Sequence, residues 1–301
     1  MQNKTKNTAK APKTDGARLA AARKRLAADP DGKKLLALAR QKGVPIFFSA
    51  DREMDAAGRF DGADKTIALA RDLDSKALAC VLAHELRHLW QAGIANLGER
   101  YLSAADALVR RRLIEGDALA FEKRFMLSSQ LKQFEKMTEK LLQLQASPAA
   151  VEAMKVVSDM RVKFGMKGCF IEAQKKRMGP YDRKTLRSLT LLLQMAQIYA
   201  REKKRLNTHP SKSSRLEKGR SACDRELKRI FRRVSSPQKL DRGLINITRE
   251  TLAPGSPNYL GFTTTKDLAA YVRAQIPAKT LKKAQALEKK IRKTAGQALG
   301  K

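Results

Sequence analysis

Hydrophobic positions along the chain follow two different periods. Between Val44 and Ala70 they come in short runs, Val44-Pro45-Ile46-Phe47-Phe48, Ala57-Gly58-Arg59-Phe60 and Thr66-Ile67-Ala68-Leu69-Ala70. Runs this short, bounded by Gly and Asp, predict strands, and Asp61-Gly62 predicts the turn of a hairpin between the last two. Elsewhere the spacing is three or four, the period of a helix with one buried face. Residues 32–42 predict a helix. Leu78, Leu82, Leu86 and Leu89 predict another over about 74–92, with Asp74 or Ser75 as N-cap and Gly93 as its stop. After Gly98 a long helix runs to about Ser128 on the stripe Ala107, Ile114, Ala118, Phe121 and Phe125, and residues 129–145 continue it up to Pro148. Further helices are predicted around Val151–Met160 and over 182–205, 223–234, 266–276 and 279–297. No repeat of fixed period is present. Strands, then a hairpin, then a long series of helices predict an α+β fold that is predominantly α-helical, with a small sheet packed on the 74–92 helix and additional C-terminal helices.

Composition changes this picture in two respects. Hydrophobic residues make up 43% of the chain, enough for a core, yet aromatic residues make up only 5%, which suits small apolar helix–helix contacts. The formal net charge is +33, from 63 Lys and Arg against 30 Asp and Glu. The excess is uneven: residues 201–301 hold 26 Lys and Arg against 8 Asp and Glu. These shifts predict a disordered basic N-terminal tail over 1–30, in which a short helix could begin near Ala17, a domain over 31–130, a helical extension over 131–206, a polar linker over 207–221 and a basic helical C-terminal region over 222–301. No run approaches about 18 consecutive apolar residues, so no membrane span is expected. The Lys-rich start has no apolar signal core, and Cys80, Cys169 and Cys223 form neither a disulfide framework nor a paired zinc motif. A cytoplasmic setting is expected.

The chemistry is concentrated in His84-Glu85-Leu86-Arg87-His88. The chain has three histidines, and two of them stand four apart with a glutamate directly after the first. On a helix this spacing sends both imidazoles from one face, one turn apart, where a single Zn2+ ion can take both. Glu85 stays close enough to act as a general base toward water. The third histidine, His209, falls in the polar linker and is a poor ligand candidate. Cys80 lies one turn before His84 and reads better as a small buried filler than as a ligand. The next helix offers Glu115 and Asp117 as a third ligand, on opposite sides of its apolar stripe. Both could equally be solvated helix carboxylates. Glu115 is the preferred ligand, and Asp117 is the alternative or a supporting group.

With these residues the chain resembles the zincin metallopeptidases of the glutamate-ligand kind, most closely small bacterial zincin domains of the ImmA/IrrE kind. The resemblance covers about residues 40–130 and rests on the H-E-x-x-H run and on Glu115-Gly116-Asp117-Ala118, followed by Ala120 and Phe121. It implies a minimal zincin-like core, His84, His88 and Glu115 as zinc ligands, Glu85 as catalytic base, and Asp117 as a group orienting a ligand. Arg87 and Leu86 replace the small residues common inside the motif of the minimal group, and no Asp follows Glu115 by four as in larger glutamate-type zincins.

The expected function is zinc-dependent hydrolysis of peptide bonds in a protein or peptide substrate. Residues 66–70, which precede the motif helix, are the expected cleft edge, to which an extended substrate could add as a further strand. Tyr101 and Arg110–Arg112 are candidates to stabilise the oxyanion. The alternative is a basic nucleic-acid- or protein-binding protein with an inactive or structural zincin domain. In that case the basic N- and C-terminal regions supply non-specific nucleic-acid contact.

Overall fold

The computed structural model describes residues 14–50, 56–95, 102–143, 148–208, 213–238, 240, 243–248 and 259–301. The chain divides into two compact units, Met1–Trp90 and Gln91–Lys301, and the division falls inside one helix.

The first unit opens with two helices, α1 (Asp15–Ala27) and α2 (Pro30–Gln41). Asp29 starts α2 by accepting hydrogen bonds from the backbone N–H groups of Asp31 and Gly32, with Pro30 at the first helical position. Three strands follow, β1 (Ile46–Phe48), β2 (Gly58–Asp61) and β3 (Thr66–Leu69), and then α3 (Ser75–Ala95). Asp74 caps α3, accepting from the N–H groups of Lys76 and Ala77 at 2.7 Å each. Leu78, Leu82 and Leu86 are fully buried and Leu89 nearly so. The α+β, predominantly helical class expected from the periodicity is the one observed.

Three details differ from expectation. The sheet order is β1-β3-β2, with β3 parallel to β1 and antiparallel to β2. Residues 66–70 therefore form the central strand rather than the cleft edge, because the earlier run 46–48 pairs with the free side of β3. An added strand would have to use β1 or β2. Second, α1 occupies 15–27, so the short helix expected from near Ala17 takes up most of the second half of the basic 1–30 stretch. Its Ala22 and Leu26 are buried, and Arg18 donates to the carbonyls of Arg71 and Leu73. Residues 1–13 of the expected tail lie outside the described residues. Third, α3 runs through Gly93 to Ala95, since one glycine weakens a helix without ending it.

The second unit is helical. Its spine is α4 (Ala104–Gln143), 40 residues in one helix, followed by α5 (Pro148–Phe164), α6 (Met166–Lys176), α7 (Gly179–Thr208), α8 (Ser214–Ser235), a single turn α9 (Leu244–Ile247), α10 (Thr265–Ala274) and α11 (Ala278–Ala298). Helices α5, α6, α7, α9, α10 and α11 all touch α4. Over 116–121 α4 is buried at every position, so the single stripe expected there becomes an all-round contact surface. A second core, made by Ala196, Leu227, Ile230, Val234, Ile291 and Ala295, joins α7, α8 and α11. Helix α8 starts at Ser214, within the stretch expected as a linker. His209 and its neighbours over 209–212 lie outside the described residues. No helix among the described residues is long and apolar enough to cross a membrane.

Candidate metal centre

The apolar side of α3 fixes the rotation of the helix, and that rotation aims the polar motif residues. His84 and His88 lie one turn apart with their Nε2 atoms 3.1 Å from each other. The rings meet edge-on, with centroids 4.7 Å apart and planes at 81°. His84 is buried and His88 half-buried. Two imidazole nitrogens this close must either share one proton or present lone pairs to a common cation. The separation is close to the roughly 3.4 Å expected between ligand atoms around a tetrahedral ion with bonds of about 2.1 Å.

Glu115 of α4 supplies the third atom. One ligand atom each from His84, His88 and Glu115 lie within 4.8 Å of one another, and this is the one His/Cys/Asp/Glu group among the described residues able to hold a metal ion. Two neutral nitrogens and a carboxylate oxygen, partly withdrawn from water, fit the donor set of a divalent transition metal with a position left for water or substrate. Cys80 and Asp117 are not in this group. Arg111, one turn before Glu115, lies 3.7 Å from its Oε1, a loose pair that a cation would weaken.

The residues 3–158 match the model of the family described as "Putative metallopeptidase family (DUF6782)". The chain belongs to this family. No curated protein and no solved structure matches it. Membership makes the protein a metal-dependent peptidase and so implies a metal ion.

In this metallopeptidase the carboxylate beside the candidate ligands has its own support. Glu85 is buried and accepts a 2.7 Å hydrogen bond from the backbone N–H of Phe60 on β2. Phe60 stands opposite Ile67 in the ladder, and its N–H points away from β3 into the open edge. Gly58 lets the strand come this near: a Cβ there would sit 2.5 Å from Val81 Cγ1 and 2.9 Å from Glu85 Cγ and Oε1. Inside the motif, Arg87 is almost completely buried, with its guanidinium stacked 3.7 Å above the centre of the Trp90 ring.

Asp117 has a different task from coordination. It is fully buried; its Oδ2 accepts from Gln91 Nε2 at 2.8 Å and its Oδ1 from the Tyr259 hydroxyl at 2.8 Å. Gln91, also fully buried, donates to the Ile114 carbonyl at 2.9 Å as well. One amide of α3 thus grips the backbone and side chain of the α4 segment that carries Glu115. Gly116, between the two carboxylates, is needed for close packing on α6, because a Cβ would lie 2.3 Å from Gln174 Nε2 and 3.0 Å from the Phe170 ring. Arg112 is buried in a two-pronged pair with Asp182 (2.9 and 2.6 Å) and also donates to the Gln275 carbonyl. It therefore anchors α4 rather than serving an oxyanion. Tyr101 lies outside the described residues.

Gln91, Tyr259 and Asp182 escaped sequence reasoning. Gln91 carried a signal, since it stands seven residues after His84, two turns along the same side of the helix. Tyr259 and Asp182 had none, because nothing local ties them to α4.

Proposed function

We propose that the protein is a zinc endopeptidase of the glutamate-ligand zincin class, with His84, His88 and Glu115 holding the Zn2+ ion and Glu85 as general base. The observation that supports this reading is the convergence of the three ligand atoms within 4.8 Å beside a buried carboxylate fixed by a backbone N–H. When bound, zinc supplies Lewis-acid polarisation of the scissile carbonyl and makes water nucleophilic near neutral pH. Glu85 takes one proton from the attacking water, whose oxygen forms the new bond to the carbonyl carbon, and passes it to the leaving amine nitrogen as the C–N bond breaks. The Phe60 N–H keeps Glu85 from swinging away. Gln91 and Asp117 hold the Glu115 segment of α4 in register, as a supporting shell around the ligands.

The test is paired. Glu85→Gln is expected to retain one zinc per chain while losing cleavage of an unfolded protein substrate by at least about 100-fold. His84→Ala is expected to lose stoichiometric zinc after dialysis. Unchanged cleavage in the first variant ends the role of Glu85, and full zinc content in the second ends the ligand assignment.

A further inference from the structure

The C-terminal charge has a definite location on α8. Leu227, Ile230 and Val234 of this helix enter the core shared with α7 and α11. The opposite side carries Lys218, Ser221, Arg225, Lys228, Arg229 and Arg232, all exposed and spaced as one stripe. The side chains of Arg225 and Arg229 are 76% and 65% exposed. From Lys218 to Arg232 the stripe is about 21 Å long. Ser221, Asp224, Arg225, Lys228, Arg229 and Arg232 line a groove along it. The acids nearby are outnumbered: Glu217 stands at the start of the stripe beside Lys218 and Ser221, Asp224 pairs with Lys203 at 2.7 Å, and Glu226 is only loosely engaged, 3.9 Å from Arg229 and 4.0 Å from Arg225.

We propose that this face of α8 binds the sugar–phosphate backbone of a nucleic-acid duplex. Its chemistry selects that partner over others of the same charge. The arginines offer planar forks suited to phosphate oxygens, and the stripe is long enough to meet several successive phosphates. A membrane surface would need apolar side chains to enter the lipid boundary, but the apolar side of α8 is used up in the bundle core. Single strands are gripped by aromatic platforms, and no aromatic residue lines the groove. Base edges have no dedicated reader here, so binding is indifferent to sequence. The proposal does not depend on the peptidase reading.

The test uses the full chain and a fluorescein-labelled DNA duplex of about 20 base pairs, followed by anisotropy between about 50 and 200 mM salt. The variant R225Q/K228Q/R229Q/R232Q is compared with K279Q/K282Q/K289Q/K293Q, which removes the same charge from exposed positions of α11. Both are checked for helicity by circular dichroism; should the first lose helicity, R229Q alone replaces it, with K289Q as its control. The α8 variant is expected to bind at least about tenfold more weakly, with a salt slope smaller by about 3 to 4, as four lost phosphate contacts require. The single substitution is expected to reduce the slope by about 1. The α11 control is expected to change affinity less than about threefold. Absence of duplex binding at the lowest salt overturns the proposal, as does an equal loss in the α11 control. Tighter binding of a single strand, or of phosphatidylserine vesicles that displace the duplex, also overturns it. Glu85→Gln is expected to bind the duplex unchanged, which separates this outcome from any failure of the zinc reading.

Discussion

Two buried carboxylates, Glu85 on α3 and Asp117 on α4, are held in opposite ways. Glu85 depends on near neighbours: a backbone N–H from Phe60, 25 residues earlier, and a glycine that lets β2 approach. Asp117 depends on side chains instead, Gln91 at a similar 26 residues and Tyr259, brought from afar, at 142. A backbone donor on a paired strand cannot be removed by a side-chain substitution. A side-chain donor can, and its loss leaves a buried oxygen unsatisfied. The proposed base and the helix of the proposed carboxylate ligand therefore have different vulnerabilities: the first is sensitive to strand position, the second to single distant substitutions.

The largest effect is expected where a distant anchor is ionic. Asp182→Ala leaves Arg112 buried without its two-pronged partner and should destabilise the chain by about 3–5 kcal/mol, read by urea unfolding. A cost below about 1 kcal/mol would mean that α4 does not rely on this pair. Next is Asp117→Ala, which removes the carboxylate that accepts from the Gln91 amide and the Tyr259 hydroxyl and should cost about 3 kcal/mol. Tyr259→Phe removes one of these bonds and should cost about 1–2 kcal/mol while weakening metal affinity in a chelator competition. Equal metal affinity in Tyr259→Phe and the unaltered chain would show that Asp117 supports the fold but not the ligand. Gly58→Ala pushes β2 off Val81 and Glu85, with an expected cost of about 1–3 kcal/mol. Its effect on turnover should exceed its effect on metal content, the reverse of Tyr259→Phe.

The smallest expected effect is electrostatic and local. The N–H groups of Ala77 and Lys76 hold the Asp74 carboxyl below the usual carboxylate range. A group lowered in this way adds stability above its unfolded-state pKa, and that contribution disappears as pH falls through the folded value. Asp74→Asn keeps a capping oxygen but loses the titration, so its melting temperature should approach that of the unaltered chain as pH drops from neutral to about 3. A gap that stays constant over that range would assign the contribution of Asp74 to geometry alone.

These contrasts explain how much was legible in the sequence. The motif helix and hairpin could be read because their signals are local: the leucine period of α3, the His84–His88 spacing and the Asp61-Gly62 turn each lie within one element. The sheet order could not, since a strand of three residues contains no record of which edge it joins, and β1 took the side of β3 expected to be open. Glu115 could be preferred over Asp117 through the resemblance, but the actual occupation of Asp117 depended on Tyr259, which only the folded chain brings near.

Arg112 and Asp117 both lie within the stretch 3–158 that matches the family model, yet Asp182, Gln275 and Tyr259, which neutralise or satisfy them, lie beyond it. What is inherited as a recognisable family is thus shorter than what must fold together. A fragment cut at residue 158 would keep the three proposed metal ligands, yet expose a guanidinium and a carboxylate whose counterparts were left on the discarded piece. Such a fragment should bind chaperones or precipitate rather than catalyse, and adding residues 159–301 as a separate chain would be the way to rescue it.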